Sequence, residues 1–358
     1  VESLDVNRAF WRGRRVFLTG HTGFKGSWLS LILDRLGAVV TGYSLAPQGE
    51  RPLFEGAAVA KHVRSVIGDV RDVSAVRAAM LAAEPEVVLH LAAQSLVLTS
   101  YEAPLDTLST NVIGTANVLE ATRSTPSVRA VVVVTTDKVY RNREWHWPYR
   151  EADELGGHDP YSSSKACTEL VASTYSSSFL AARGIALATA RAGNVIGGGD
   201  WADNRIVPDF VRAVLAKRPL VVRNPDSTRP WQHLLEPLEG YLLLAEQLIE
   251  KAKSIQGAWN FGPPPDGVQP VRRLVDDLVS HWGEGAAWRH ERVAQPHEAS
   301  LLTLDSSKAR QQLGWSPRLG YARGLALTTN WYKAFARGED QEATTLAQID
   351  EWLGAASS

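Results

Sequence analysis

Tyr161 and Lys165 stand four residues apart in Tyr161-Ser162-Ser163-Ser164-Lys165, which on a helix sets a phenol and an ammonium one turn apart on the same face. Such a pair can make a base of the tyrosine. A free phenol with a pKa near 10 is a poor proton acceptor at neutral pH; lowering it by about three units takes roughly 4 kcal/mol of charge stabilisation, part of which a close lysine supplies. The expected reactive species is a tyrosinate. A second group, Thr135-Thr136-Asp137-Lys138, sets a hydroxyl, an acid and an amine side by side at the end of a β-branched run. In the third, Thr19-Gly20-His21-Thr22-Gly23-Phe24-Lys25-Gly26-Ser27, the glycines let the backbone turn tightly and approach a pyrophosphate, whose charge rests on the following helix N-terminus.

Composition narrows the partners. The 358 residues carry 38 basic and 39 acidic side chains, a formal net charge of −1, so neither nucleic acid nor a membrane surface is expected as a partner. An anionic ligand must be met by a few local arginines. The single cysteine, Cys167, excludes an internal disulfide framework and reads as a packing residue; no histidine pair has metal-ligand spacing, so no metal is expected. No apolar run reaches about 18 residues, and residues 1–15 are too polar for a signal peptide, which makes a cytoplasmic location the expectation.

The elements that must position these groups read as an α/β fold. Short β-branched runs at 15–19, 39–43, 63–67, 87–91, 130–135 and 185–190 alternate with helical stretches at 27–36, 73–83, 106–123 and 161–183. That alternation predicts a doubly wound parallel sheet with right-handed crossovers. After Gly193 the chain turns to longer loops rich in glycine, proline and aromatics. The expected division is therefore a dinucleotide-binding domain over 1–193, rejoined by about 232–262, and a smaller C-terminal lobe formed mainly by 194–358. Of the twelve tryptophans, Trp145, Trp147, Trp201 and Trp231 fall in the loops expected to meet a substrate, and Trp282, Trp315 and Trp331 read as packing.

Taken in order, the three motifs resemble the extended short-chain dehydrogenase/reductase family. Gly68-Asp69-Val70, His90-Leu91-Ala92-Ala93-Gln94, Asn111-Val112-Ile113-Gly114-Thr115 and Leu313-Gly314-Trp315-Ser316-Pro317 carry the likeness over nearly the whole chain. Within that family the Thr136-Asp137 pair resembles the nucleotide-sugar 4,6-dehydratases, with Lys138 where many members have glutamate. Asn142-Arg143-Glu144-Trp145, the segment 191–201 and Arg229-Pro230-Trp231-Gln232-His233 extend the resemblance toward members acting on CDP-D-glucose.

The resemblance implies a Rossmann-type fold with NAD held by Gly20, Thr22, Gly23, Phe24, Lys25, Gly26, Asp69, Val70, Leu91, Ala92, Ala93, Tyr161 and Lys165. It implies a sugar nucleotide held by Gln94, Ser95, Asn194, Arg205, Arg229 and His297, the arginines taking the diphosphate. Thr136, Asp137, Lys138, Tyr161 and Lys165 are the expected catalytic set, with CDP-D-glucose as substrate and a homodimer formed through 106–123 and 161–183. Lys138 is the expected C5 base and Glu144 the alternative. A lysine base beside an aspartic acid runs against free values near 10.4 and 3.9, but a neutral pair holds as many protons as the ion pair and is favoured in a low-dielectric pocket. The acidic residue that usually follows the second strand of NAD-selective sites is missing, Ser44-Leu45-Ala46 standing there. The other readings are a 4,6-dehydratase for another nucleotide, a nucleotide-sugar 4-epimerase or reductase, which needs no Asp137–Lys138 pair, and a non-catalytic dinucleotide sensor, which needs no Tyr161–Lys165 pair.

Overall fold

The computed structural model describes residues 6–291 and 301–355; His297 lies outside the described residues. Its centre is a seven-stranded parallel sheet: β1 (Arg15–Thr19), β2 (Val39–Ser44), β3 (Arg64–Ile67), β4 (Val87–His90), β5 (Ala130–Val134), β6 (Ala186–Ala192) and β7 (Gly257–Phe261). The spatial order is β7-β6-β5-β4-β1-β2-β3. Leu18 of β1 lies between Gly42 of β2 and Leu89 of β4 in register, so the strand order reverses beside β1. Ligands of open parallel sheets bind at such a reversal, beyond the carboxyl ends of the strands.

Strand side chains alternate between two apolar layers. Val16, Leu18, Leu89 and Val132 join one core with α1 (Phe24–Arg35) and α5 (Leu235–Lys251). Phe17, Val88, Val131 and Val133 join the other with α2 (Val73–Ala83), α3 (Gly114–Arg123) and α4 (Pro160–Tyr175). Every residue of α5 from Leu235 to Leu248 is buried, the three glutamates among them included. The chain leaves the sheet after β6 and returns to it through α5 and β7.

The expected strands lie within about two residues of the observed ones, but two expected helices are interrupted. Residues 106–123 divide at a wide turn, Ser109–Ile113, where the Gly114 N–H reaches back five residues to Ser109. The Asn111 carbonyl there accepts hydroxyls from both Thr115 (2.7 Å) and Thr168 (2.9 Å), and the local widening opens room for them. Residues 161–183 likewise end in a wide turn at Ser176–Leu180 and a 3-10 turn at Ala181–Arg183. Among the described residues, no helix is long and apolar enough to cross a membrane.

Candidate active site

The glycine loop leaves β1 through Gly20, whose φ of +79° suits glycine and whose added Cβ would lie 2.8 Å from the Ala92 nitrogen. A Cβ on Gly26 would meet the Gly20 carbonyl at 2.0 Å. Between them Gly23 caps α1 without any side-chain hydrogen bond, so the first-turn N–H groups of Phe24, Lys25 and Gly26 face the cleft without a capping side chain. Such a cradle fits a pyrophosphate. Thr19 fixes its far wall: the Thr19 hydroxyl accepts the N–H groups of Leu91 and Ala92, each at 3.1 Å, and lies 2.7 Å from His90 Nδ1. His21, beneath the loop, is 2.7 Å from the Ser65 hydroxyl, and burial lowers its pKa to about 4, so it is a neutral packing group.

One cleft of about 1040 Å³ runs from this loop across the strand ends. Its walls include Gly20, Thr22, Gly23, Phe24, Lys25, Gly26, Asp69, Val70, Leu91, Ala92 and Ala93 from the cofactor set, and Thr136, Asp137, Lys138, Tyr161 and Lys165 from the catalytic set. Ser95, Asn194, Arg205, Arg229 and the alternative base Glu144 line it too. At the end of β2, Ser44 lies 2.8 Å from the Thr22 hydroxyl, where a carboxylate was the usual expectation.

Tyr161 is set by the start of α4. Asp159 caps that helix, accepting the Ser162 N–H at 2.9 Å, and Pro160 opens the first turn, while the Tyr161 N–H donates to the Ser100 hydroxyl at 3.1 Å. Burial pushes Tyr161 up to about 12, and the Lys165 ammonium, itself lowered to about 8 by burial, donates to the Val134 carbonyl at 3.1 Å. The Thr136 hydroxyl opposes the rise, and the Asp137 carboxylate adds to it.

Asp137–Val139 forms a 3-10 turn just past β5. The Thr136 hydroxyl donates to Asp137 Oδ1 at 2.9 Å and accepts the Lys138 N–H at 3.3 Å, so the turn is closed by its own first side chain. Asp137 Oδ2 is buried with no hydrogen-bond partner among the described residues. Burial raises the Asp137 pKa, opposed by the charge of Lys138, the Thr136 hydrogen bond and the charges of Arg229 and Lys25. Gly193 leaves the space for this carboxyl, since a Cβ there would come within 2.9 Å of Oδ2.

On the opposite wall Arg205 bridges to Asp200 at 3.0 Å and donates to the Ser95 hydroxyl at 3.3 Å, joining two loops far apart in sequence. Arg229 is buried beside Asp137 and donates to its neighbour's carbonyl, Thr228, at 3.0 Å. Gln94 is not brought to the cleft wall. Its amide donates to Thr107 (2.8 Å) and Leu96 (3.1 Å) and accepts the Leu96 N–H at 2.6 Å, so the side chain shapes the loop after β4. Trp201 and Trp231 line the cleft, whereas Trp145 stacks on Tyr149 at 5.4 Å and Trp147 is exposed. Two residues without a role in the motif reading, Asp159 and Asp200, set Tyr161 and Arg205; the helix-capping position of Asp159 before Pro160 was the available signal. Lys25 was expected only at the cofactor; burial and the nearby charges of Arg205 and Lys165 lower it to about 8. Among the described residues no cluster of three His, Cys, Asp or Glu could hold a metal.

The model of the NAD dependent epimerase/dehydratase family matches residues 16–262. The chain is 46% identical over 355 residues to the CDP-glucose 4,6-dehydratase of Salmonella typhimurium, covering 98% of this chain and 99% of that protein. The solved dTDP-glucose 4,6-dehydratase of Streptomyces venezuelae, with NAD bound, superposes with a TM-score of 0.76 at 25% identity, covering 92% of this chain and 99% of that one. The UDP-glucose 4-epimerase of Thermus thermophilus in complex with NAD gives 0.77 at 26% identity, over 89% and 99% of the two chains. The glycine cradle, the Tyr161–Lys165 helix and the family match over most of the sheet agree, and this chain belongs to the NAD dependent epimerase/dehydratase family.

Proposed function

We propose that this protein is a CDP-D-glucose 4,6-dehydratase, converting its substrate to the 4-keto-6-deoxy sugar nucleotide. The observation that carries this over an epimerase is the buried Asp137 beside Lys138, in the same cleft as Tyr161 and Lys165. An epimerase needs the tyrosine and lysine but no acid and base for elimination. The cytidine preference is supported by the relative of 46% identity.

The glycine cradle, Asp69–Val70, Leu91–Ala93 and Lys165 would hold NAD, which supplies the reversible uptake of the C4 hydrogen as hydride and a cationic ring that lowers the tyrosine pKa. Tyr161 takes the proton of the sugar 4-hydroxyl, and Thr136 hydrogen-bonds the same oxygen. The resulting 4-ketone acidifies the C5 proton. Lys138 removes that proton as Asp137 gives one to the departing C6 hydroxyl, and loss of water gives a 5,6-alkene. Return of the hydride to C6 and of a proton to C5 then gives the 4-keto-6-deoxy sugar and leaves the cofactor oxidised. Asp137 suits the acid role because burial favours its protonated form. Arg205, Arg229, Asn194 and Ser95 form the substrate wall, the two guanidiniums serving the diphosphate.

The protein works as a homodimer in this reading. Leu105, Ile113 and Leu170 are exposed apolar side chains on the packed helical segments around α3 and α4, Leu105 at 80% exposure. A second copy seated there would cover them. The catalytic reading is tested by incubation with CDP-, dTDP-, GDP- and UDP-hexoses and mass detection. A product one water lighter is expected from CDP-glucose; an unchanged mass with an inverted sugar would favour the epimerase.

A further inference from the structure

Glu169 and Arg191 form an ion pair whose side chains are 4% and 3% exposed. Glu169 lies one turn beyond Lys165 on α4, and Arg191 lies on β6. The pairing is two-pronged, Arg191 Nε to Oε1 and Nη2 to Oε2, both at 2.9 Å. The same carboxylate accepts the hydroxyls of Thr135 at 2.5 Å and Thr189 at 2.6 Å. Arg191 Nη1 continues to the Tyr140 hydroxyl at 2.8 Å and the Glu151 carbonyl at 3.1 Å, and Tyr140 donates onward to Asn260 Oδ1 at 2.7 Å.

Thr135 and Tyr140 bracket the segment that carries Thr136, Asp137 and Lys138. Both ends of that segment are thus tied through one ion pair to the helix that carries Tyr161 and Lys165. An ion pair this buried loses most of its Coulombic gain to desolvation, and well-packed apolar side chains would serve stability as well. Its value here is geometric. The pair satisfies four groups on three elements at fixed angles, which no apolar contact does.

We propose that the Glu169–Arg191 pair is a positioning device that holds the acid–base segment at a fixed place relative to Tyr161 and Lys165, so that elimination follows oxidation in one closed site. This rests on the assignment of Asp137 and Lys138 as acid and base, which dehydration of CDP-glucose by the unaltered protein tests separately.

The test is the Thr135→Val/Tyr140→Phe double variant, which keeps the ion pair and the core volumes but cuts both tethers, with Arg191→Lys as the harsher companion. Shifting a reacting group by about 1 Å can cost on the order of 100-fold. The double variant is expected to keep KM for CDP-glucose within about twofold and to lose at least about tenfold in kcat. In single turnovers the near-ultraviolet absorbance of reduced nicotinamide should build up, and solvent deuterium should enter C5 more slowly. Arg191→Lys, whose single ammonium cannot serve both Glu169 and Tyr140, should partition the same way. A folded double variant with unchanged kcat would overturn the proposal, as would equal slowing of oxidation and elimination.

Discussion

Replacing Asp137 with asparagine isolates one proton from the rest of the site. The side chain is 2% exposed, and its Oδ1 accepts the Thr136 hydroxyl at 2.9 Å, a bond that an amide oxygen can still accept. The other oxygen faces Gly193 without a hydrogen-bond partner among the described residues, so an NH₂ group of nearly the same size fits there. Burial already favours the uncharged carboxyl, so the neutral amide brings no charge into the core; its unpaired N–H groups cost about 1 to 3 kcal/mol, which the fold should withstand. What is lost is the proton for the C6 hydroxyl. General acids contribute about 10²- to 10⁴-fold, or about 3 to 5 kcal/mol of barrier, so Asp137→Asn should slow dehydration by at least about 100-fold. Oxidation at C4, which draws on Tyr161, Thr136 and Lys165, should stay within about threefold. Rapid-quench single turnovers followed by mass, with near-ultraviolet absorbance for reduced nicotinamide, separate the two steps. Dehydration within about threefold of the parent, or equal loss of both steps, would refute the assignment.

Three further outcomes are expected. Lys138→Ala should abolish deuterium incorporation at C5 from heavy water while leaving the reduced nicotinamide signal; normal exchange would transfer the base role to Glu144. Leu170→Glu, placing a charge on the exposed face of α4, should convert dimer to monomer in sedimentation equilibrium, and an unchanged mass would place any interface elsewhere. Glu246 accepts the Trp11 indole at 2.6 Å and the Asn7 N–H at 3.0 Å, and burial raises its pKa from 4.5 to about 7. The folded state therefore keeps a proton that the unfolded chain releases near 4.5, so its stabilising contribution is full below that pH and is lost as pH rises to about 7. The whole loss is about 3 kcal/mol, and urea unfolding of Glu246→Gln across this window should lack it; an identical pH slope would contradict the assignment.

Local pattern carried much of the architecture. The β-branched runs locate strands because helices packed against the two faces of the sheet bury most of them, and the glycines at 20 and 26 announce a turn too tight for any Cβ. Side-chain direction was far less legible. Gln94 sits in a family landmark, yet the loop itself uses up its amide, and nothing in the residues 90–94 encodes where Thr107 will lie. The Tyr161–Lys165 spacing records neither the burial that pushes the phenol up nor the Val134 carbonyl that accepts the lysine's hydrogen bond. Wide turns at Ser109–Ile113 and Ser176–Leu180 follow from tertiary hydroxyl contacts and helix endings, which helical periodicity does not record. The Glu169–Arg191 pair joins residues 22 apart whose meeting depends on α4 lying over β6.

The reaction turns on an internal transfer: hydrogen leaves C4 of the sugar, water is eliminated across C5 and C6, and the same hydrogen arrives at C6. CDP-glucose labelled with deuterium at C4, incubated with the protein and NAD, measures this directly by mass and nuclear magnetic resonance. The predicted product is one water lighter, carries a ketone at C4 and bears the label at C6. A product that retains the label at C4, or a sugar of unchanged mass inverted at C4, would contradict it.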